Sequence, residues 1–447
     1  MSRPVLFFLH ALGSSRREWA GVIESLGRRF ECVALDTPGF GGTPPLETSG
    51  VDALVDWFEG EVAKRTPPRW LVVGHSMGGK VATLAAARAR DGASGLAGLE
   101  GVVLVAGSPP CPEPMDESRR EQMLAWFEDS GPMRAQAEIF VDTNTHVRLP
   151  EPLRAMAVDD VMRSDAHAWC DWLEHGTRQH RQAMAGELRV PALILAGAED
   201  GDLGESAQRA LNGPHYTAAT IDVVPDAAHL IPLEQPAWLA NRIEAWADGL
   251  PANVLSPEFV HLLNSPRVSS RTRATVLERS AQPSRVGLEA FSQAQLDVLI
   301  ALTSRVLPGV DANDLALRVA HAIASGRGDG WRFADLPSDA DAWAWGLRLL
   351  DGVAGGFAQL TVDAQDDLLR LVEQRSLRHP EIDESGRNRL AHWFEDACSL
   401  LARTWMSLPS TWDAIGYDGF AVGGQGARST GYAHVQADVL DAWQLRR

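Results

Sequence analysis

The sequence predicts two parts: an α/β domain with a mostly parallel sheet over residues 1–250, and an all-α domain after it. In the first part, short β-branched and apolar runs alternate with amphipathic helical patterns, which is typical of a parallel sheet that helices cover on both faces. In the second part the strand-like runs stop, and only helical periodicity continues. A chain of 447 residues is also too long for one ordinary core.

Charge and cysteine usage narrow the classes of function. Asp and Glu number 59 against 41 Lys and Arg, a net charge of −18, which argues against nucleic acid or an anionic membrane surface as a partner. The cysteines lie far apart, with no Cys-x-x-Cys pair or Cys/His cluster, so we expect no disulfide framework, no metal site and a reducing cytoplasmic location. The apolar run Val5–Leu9 is too short for a signal peptide, and no run elsewhere is long enough to span a bilayer.

Six runs are predicted as strands, separated by helical patterns. The helical patterns begin with Arg16–Leu26, where Trp19, Val22, Ile23 and Leu26 share one face. Because ligands of parallel sheets sit at the carboxyl ends of the strands, the turns that follow the strands are the candidate site. The predicted strands are Val5–Leu9, Glu31–Leu35, Trp70–Val73, Gly101–Ala106, Val190–Gly197 and Ile221–Val224.

The third strand leads into Gly74-His75-Ser76-Met77-Gly78 and then into a helical run of small residues. Glycines on either side of the serine fit a turn so tight that a side chain would strike the strand or the helix, which would hold Ser76 exposed and strained. Ser76 is therefore a candidate nucleophile. The alternative is a Gly-rich turn with an incidental serine, and the rest of the chain has to decide between them.

Three motifs together resemble the α/β-hydrolase fold over roughly the first 250 residues. They are His10-Ala11-Leu12-Gly13-Ser14 after the first strand, Asp36-Thr37-Pro38-Gly39-Phe40-Gly41 after the second, and the serine turn. Family members usually carry His-Gly where this chain has His10-Ala11.

The resemblance implies a triad in the chain order serine, acid, histidine. Asp200 follows the fifth strand where the family has its acid, and His229 lies where it has its base. Glu199 or Asp202 would be the alternative acid. The imidazole would take the proton of Ser76, and the carboxylate would fix its tautomer and stabilise the imidazolium.

The same chemistry needs two donors for the developing oxyanion, and the backbone N–H groups of Leu12 and Met77 are the candidates. His75 would point away from Ser76 and is predicted to be structural. His10 is predicted to order the oxyanion loop rather than to move protons.

Between the fourth and fifth strands, residues of about 109–187 are predicted to form a helical cap over Ser76. The cap begins at a proline-rich hinge, Pro109-Pro110-Cys111-Pro112-Glu113-Pro114. Caps exclude water and shape the pocket. Its apolar residues either line a pocket or form core: Trp126, Phe127, Met133, Trp169 and Trp172.

Residues 251–289 read as a polar linker with one helix, Thr272–Arg279, ahead of a helical domain over 290–447. Within that domain, about residues 290–425 resemble the gluconate 2-dehydrogenase subunit 3 family. The motifs are Phe291-Ser292-Gln293-Ala294-Gln295-Leu296, Gly356-Phe357-Ala358-Gln359-Leu360-Thr361 and Ile415-Gly416-Tyr417-Asp418-Gly419-Phe420. The resemblance implies a helical accessory subunit, without chemistry of its own, beside a flavin-dependent dehydrogenase of the glucose-methanol-choline type.

The sequence thus predicts a serine hydrolase that cleaves a carboxylic ester or lactone through an acyl-enzyme, fused to such an accessory subunit. This chain would itself need no cofactor and no metal, and FAD would belong to a partner flavoprotein. The alternative is a mainly non-catalytic accessory subunit. Carbon–carbon bond hydrolysis, peroxide-dependent chemistry, the substrate and the oligomeric state stay open.

Overall fold

The computed structural model describes residues 3–48, 50–127, 132–250, 255–281, 283, 288, 291–326, 331–380, 382–417, 419–420 and 439. These residues fall into two compact units. The first holds the described residues up to Glu278 together with the C-terminal ones from residue 419, and the second is Arg279–Tyr417.

A six-stranded sheet forms the centre of the first unit, in the order β2-β1-β3-β4-β5-β6, and every adjacent pair is parallel. This confirms the predicted α/β fold class. The strands are β1 Val5–Leu9, β2 Glu31–Leu35, β3 Trp70–His75, β4 Leu99–Val105, β5 Ala192–Gly197 and β6 Ala219–Val224.

The central strands are largely apolar because both faces of the sheet are covered. Successive side chains of a strand point to opposite faces. In β1, Phe7 belongs to one buried cluster with helices α2 (Val51–Ala63) and α3 (Met77–Arg90), while Phe8 belongs to a second cluster with α1 (Ala20–Leu26) and α11 (Pro236–Asp248). Because the strands are parallel, they end together at one edge, where the turns of the candidate site lie.

The segment between β4 and β5 is helical, as the predicted cap requires. Its helices are α4 Glu117–Ala125, α5 Arg134–Thr143, α6 Glu151–Met162, α7 Ala166–Asp171 and α8 Gln182–Ala185, with a π-helical turn at Trp172–Gly176. Phe127 and Trp169 stack inside it with ring centroids 4.6 Å apart, whereas Met133 is largely exposed. Short helices α9 (Glu205–Ala207) and α10 (Ile231–Glu234) follow β5 and β6.

The region predicted as a polar linker with one helix contains two helices, α12 Pro257–Asn264 and α13 Ser270–Ser280. Ser256 caps the N-terminus of α12 through its hydroxyl, which accepts the N–H of Phe259, and the helix buries an apolar face. Helix α13 contains the predicted helix Thr272–Arg279, whereas α12 was not predicted. The guanidinium of Arg273 is buried and donates to the carbonyls of Gly92, Leu263, Ser265 and Val268, so an arginine here acts as part of the interior.

The second unit is helical and has its own apolar core, which includes Leu299, Trp343, Phe357, Trp393 and Leu401. Its helices are α14 Gln293–Val306, α15 Ala312–Ala324, α16 Asp339–Ala354, α17 Val362–Glu373, α18 Glu384–Met406 and α19 Pro409–Ile415. The predicted all-α second part is thereby confirmed, and α19 is an addition to it. Apart from Val439, residues 421–447 of the predicted helical domain lie outside the described residues.

Within the described part of the chain, no helix combines the length and the hydropathy needed to cross a membrane.

Candidate active site

The turn after β3 holds Ser76 in a strained backbone conformation. Its φ is 47° and its ψ −113°, a region that non-glycine residues rarely adopt. A Cβ atom at Gly74 would lie 2.4 Å from the oxygen of Gly78, and one at Gly78 would lie 2.5 Å from the oxygen of Leu9. The two glycines therefore allow strand, turn and helix to approach closely enough to fix the serine at the sheet edge.

Three side chains from three strand ends meet there in one hydrogen-bonded chain. The Oγ of Ser76 lies 2.9 Å from Nε2 of His229, and Nδ1 of His229 lies 2.7 Å from Oδ2 of Asp200. The other carboxylate oxygen of Asp200 accepts the backbone N–H groups of Asp202 and Leu203 at 3.2 and 3.0 Å. The carboxylate is thus held from behind while it orients the imidazole.

The charges of His229 and Asp200 stabilise each other. Burial lowers the pKa of His229, but the charge and hydrogen bond of Asp200 outweigh it, so the pKa lies above its usual 6.5. Burial raises the pKa of Asp200, yet His229 and the two backbone donors leave it below its usual 3.8. Asp200 is therefore ionised near neutral pH and stabilises positive charge on His229.

The loop after β1 is held by His10. One ring nitrogen, Nε2, accepts the N–H of Thr37 at 2.9 Å, and Nδ1 donates to the oxygen of Ala11 at 2.7 Å. This ties the loops after β1 and β2 together and fixes the backbone of Leu12, which lines the same cavity as Ser76. Met77 is the first residue of α3, where backbone N–H groups lack intrahelical partners.

His75 is fully buried and points away from Ser76, but it contacts the loop that carries His229. Its Nε2 lies 2.8 Å from the backbone oxygen of His229, and its Nδ1 lies 3.1 Å from Oε1 of Glu18. From the cap, the backbone oxygen of Asn144 accepts the N–H groups of His229 and Leu230 at 3.1 and 3.0 Å.

A cavity of about 210 Å³ opens onto Ser76 and His229. Its apolar wall includes Leu12, Met123, Phe140, Trp172 and Leu230. Its charged wall carries four carboxylates and one guanidinium, which belong to Glu113, Glu199, Asp200, Asp202 and Arg119. Helical residues of the cap thus contribute to the walls over the serine, and the lining is apolar with an acidic side.

Two residues of the cap contribute polar groups that the sequence did not single out. Arg119 donates to Asp202 at 2.7 Å and to the side chain of Asn144 at 3.1 Å. Asp202, an alternative acid in the sequence analysis, therefore pairs with Arg119, whereas Asp200 contacts His229. No sequence signal brings Arg119 and Asn144 to the site, because their position depends on how the cap folds back over the sheet.

Lys80 is buried one helical turn after Ser76 and contacts the cap at two places. Its ammonium donates to the carbonyls of Cys111 at 3.2 Å and Gly176 at 2.6 Å. Burial lowers the pKa of Lys80 to about 8, against a partly compensating charge from Glu113. Helix α3 and the cap are thus joined through the interior.

The parallel sheet, the helical insertion and the strained serine turn at the carboxyl edge define a hydrolase-type α/β protein. Residues 6–242 match the Alpha/beta hydrolase family, which is more than half of the 447-residue chain. The chain belongs to this family.

Several known proteins are similar to the same part of the chain. A biotin biosynthesis bifunctional protein BioHC from Cellvibrio japonicus is 25% identical over 253 residues, 56% of this chain and 49% of that protein. A 2-succinyl-6-hydroxy-2,4-cyclohexadiene-1-carboxylate synthase from Serratia proteamaculans is 26% identical over 250 residues, 54% of this chain and 92% of the synthase. The match thus spans about half the length of the bifunctional relative. In structure, an esterase from Exiguobacterium antarcticum aligns with TM-score 0.50 and 13% identity over 56% of this chain and 93% of its own, a likeness of fold.

Among the described residues, no group of three or more His, Cys, Asp or Glu side chains is arranged to hold a metal ion. The four cysteines, all within the described ranges, form no disulfide.

Proposed function

We propose that this chain is a serine hydrolase that cleaves a carboxylic ester or lactone through an acyl-enzyme. The observation that carries the proposal is the continuous hydrogen-bonded chain from Ser76 through His229 to Asp200, which opens onto a cavity. An ester carbonyl in that cavity would lie beside a hydroxyl whose proton has an acceptor 2.9 Å away.

The mechanism follows from the roles that the geometry permits. His229 takes the proton of Ser76 as Oγ attacks the carbonyl carbon, and Asp200 stabilises the imidazolium that forms. The N–H groups of Leu12 and Met77 bind the oxyanion, which on comparable sites is worth about 3 kcal/mol per donor. His229 then protonates the leaving alkoxide, and a water molecule, activated in the same way, releases the acid and restores Ser76.

The lining of the cavity favours an uncharged ester. An anionic group in the substrate would face the carboxylates of Glu113, Glu199 and Asp202, and the one guanidinium among the lining residues is already bound to Asp202. The apolar wall suits a hydrocarbon acyl or alkoxy group.

Replacement of Ser76 by alanine tests the proposal directly. Without the hydroxyl no acyl-enzyme forms, so kcat for neutral aryl esters should fall by at least about 1,000-fold. The measurement is steady-state hydrolysis of aryl acetates and of simple lactones by the purified full chain. Full activity of the Ser76→Ala variant would refute the serine mechanism.

A second function concerns Arg279–Tyr417. The motifs near residues 291, 356 and 415 resemble the gluconate 2-dehydrogenase subunit 3 family, and the unit has a core of its own. We propose that it binds a flavoprotein dehydrogenase of the glucose-methanol-choline type, with FAD held by that partner, in the cytoplasm. Oxidation of a sugar or alcohol to a lactone would supply the hydrolase with a substrate.

Co-purification tests this second function. The tagged full chain should retain a yellow flavoprotein from its native host, with flavin absorbance in proportion to the chain. Absence of any flavoprotein from that preparation, with intact esterase activity, would leave the hydrolase proposal standing and refute the accessory role.

A further inference from the structure

The pair Glu18 and His75 lies behind the candidate base and outside the triad. Both side chains are buried, with 1% and 0% of their surface exposed. The Nε2 atom of His75 lies 2.8 Å from the backbone oxygen of His229. A carbonyl oxygen only accepts, so Nε2 must carry a hydrogen and donate it.

That donation fixes where the other protons lie. With Nε2 protonated, a neutral imidazole has a bare Nδ1, and Nδ1 lies 3.1 Å from Oε1 of Glu18. Two bare acceptors at that distance, out of reach of water, would repel each other. One proton must therefore lie between Nδ1 and the carboxylate, on either atom, and the pair as a whole is neutral in both arrangements.

The protonated pair makes one of two contacts that hold the peptide of His229. His75 donates to the carbonyl of His229 from the sheet side, and the carbonyl of Asn144 accepts its N–H at 3.1 Å from the cap side. The backbone of His229 carries the imidazole that contacts Ser76, so a shift of this loop would move that imidazole. The ring centroids of His75 and His229 are 5.3 Å apart.

We propose that Glu18 and His75 are positioning residues for the general base. Glu18, through the proton it shares with Nδ1, keeps a hydrogen on Nε2 of His75 that fixes the backbone of His229, and this sets the 2.9 Å contact between His229 and Ser76. The inference rests on the proposed serine hydrolase mechanism.

Three substitutions of His75 separate the donated hydrogen from the bulk of the ring. His75→Phe keeps the ring and removes both nitrogens, whereas the amide nitrogen of His75→Gln lies near the place of Nε2 and that of His75→Asn near Nδ1. We expect kcat on a neutral aryl ester to fall about 100-fold in His75→Phe and His75→Asn, since a displacement of about 1 Å has that effect, and His75→Gln to recover most of it. KM should stay within about threefold in all three, because the cavity wall is unchanged.

Glu18 provides a second, independent comparison. Glu18→Gln keeps a hydrogen that can be donated to Nδ1 and should retain most of kcat, whereas Glu18→Leu removes that donor and should lower kcat as His75→Phe does. Tyr216→Phe is the control for buried hydrogen bonds, because the hydroxyl of Tyr216 contacts Thr83 at 3.0 Å in the same domain core and lies outside the site. Its thermal midpoint should fall while its kcat stays at the wild-type value.

The outcomes distinguish the inference from the proposed function. Wild-type kcat in His75→Phe, or an equal loss in all three His75 variants whose near-ultraviolet circular dichroism is native, would overturn the positioning role while an inactive Ser76→Ala variant still supports the hydrolase. Full activity of Ser76→Ala would overturn the hydrolase itself. The inference is supported if, among the His75 and Glu18 variants, only His75→Gln and Glu18→Gln keep most of the wild-type kcat, with KM unchanged in all of them.

Discussion

Ser76 stands in a backbone conformation that costs an isolated residue on the order of 1–3 kcal/mol. The surrounding turn holds Ser76 in this conformation, because Gly74 and Gly78 let the strands and the helix pack against each other closely. The result is a hydroxyl presented at the sheet edge with a hydrogen-bond partner already in place. This residue could be predicted from sequence, since only glycine on both sides permits the close approach.

Other residues of the site could be predicted to different degrees. His229 and Asp200 follow from their places after strands, and the structure puts both in contact with the serine or with each other. The role of Glu18 could not be predicted, because it lies 57 positions before His75 and no local pattern joins them. Contacts of that kind depend on how the chain packs.

The pH dependence of the reaction follows from the histidine. In the proposed mechanism the general base, His229, must be neutral, and Asp200 holds its pKa above 6.5 in spite of the lowering effect of burial. We therefore expect kcat/KM to rise with pH with a midpoint above 6.5. Asp200→Asn should lower that midpoint and reduce kcat by about 10,000-fold. A wild-type midpoint at or below 6.5 would contradict the charge assignment.

Helix α3, which starts directly after Ser76, contacts the cap through Lys80. A neutral amine still has two N–H groups, so the contacts with Cys111 and Gly176 persist when Lys80 loses its proton. Deprotonation removes a buried charge without releasing the cap.

This arrangement gives a stability that increases with pH. The pKa of Lys80 is about 8 in the folded protein against 10.5 in an ordinary lysine. Between these values the unfolded chain binds more protons, so the free energy of unfolding should gain a component that rises with pH. Urea unfolding measured between about pH 8 and 10.5 should show this pH-dependent rise in the free energy of unfolding for the wild type and not for Lys80→Met. If the free energy of unfolding changed with pH in the same way in both proteins, the prediction for Lys80 would be wrong.

Helices α12 and α13 illustrate how composition can mislead at the level of elements. A run rich in Ser and Arg is typical of a linker, yet the guanidinium of Arg273 donates hydrogen bonds to four backbone carbonyls of the interior. Burial lowers the pKa of this guanidinium, but an arginine stays charged across the range in which proteins fold. The helix therefore belongs to the hydrolase unit as part of its packing.

Loss of the guanidinium should destabilise that unit. A lysine at position 273 cannot reach all four carbonyls, so at least one stays buried without a partner, and we expect Arg273→Lys to lower the free energy of unfolding by about 3 kcal/mol. Arg271→Lys, at an exposed position of α13, is the matched control and should change it by less than about 0.5 kcal/mol. Equal effects in both variants would mean that the carbonyl contacts contribute little.

At the scale of the whole molecule, the sequence predicted the parallel sheet and the succession of helices because their periodicities are local and strong. It predicted neither the packing of α12 and α13 on the sheet domain nor the walls of the cavity, because these depend on contacts between distant segments. The net charge of −18 is a property of the whole chain that the sequence does give, and it acts in the same direction as the acidic cavity wall.

The charge predicts a dependence on salt that differs between substrates. An anionic aryl hemisuccinate should be hydrolysed more slowly than the aryl acetate at low ionic strength, and added salt should raise its kcat/KM because screening weakens the repulsion. For the neutral acetate the change should be less than about twofold. Glu113→Gln should narrow the gap between the two esters. Equal, salt-insensitive rates for both esters would exclude electrostatic selection.

The carbonyl of Asn144 accepts the N–H groups of both His229 and Leu230, so the end of cap helix α5 is attached to the loop that carries His229. If the cap moved away to admit a substrate, these contacts would break and the imidazole of His229 would no longer be held against Ser76. In that open state the proposed base would be out of position, so catalysed hydrolysis would wait until the cap had closed over the substrate.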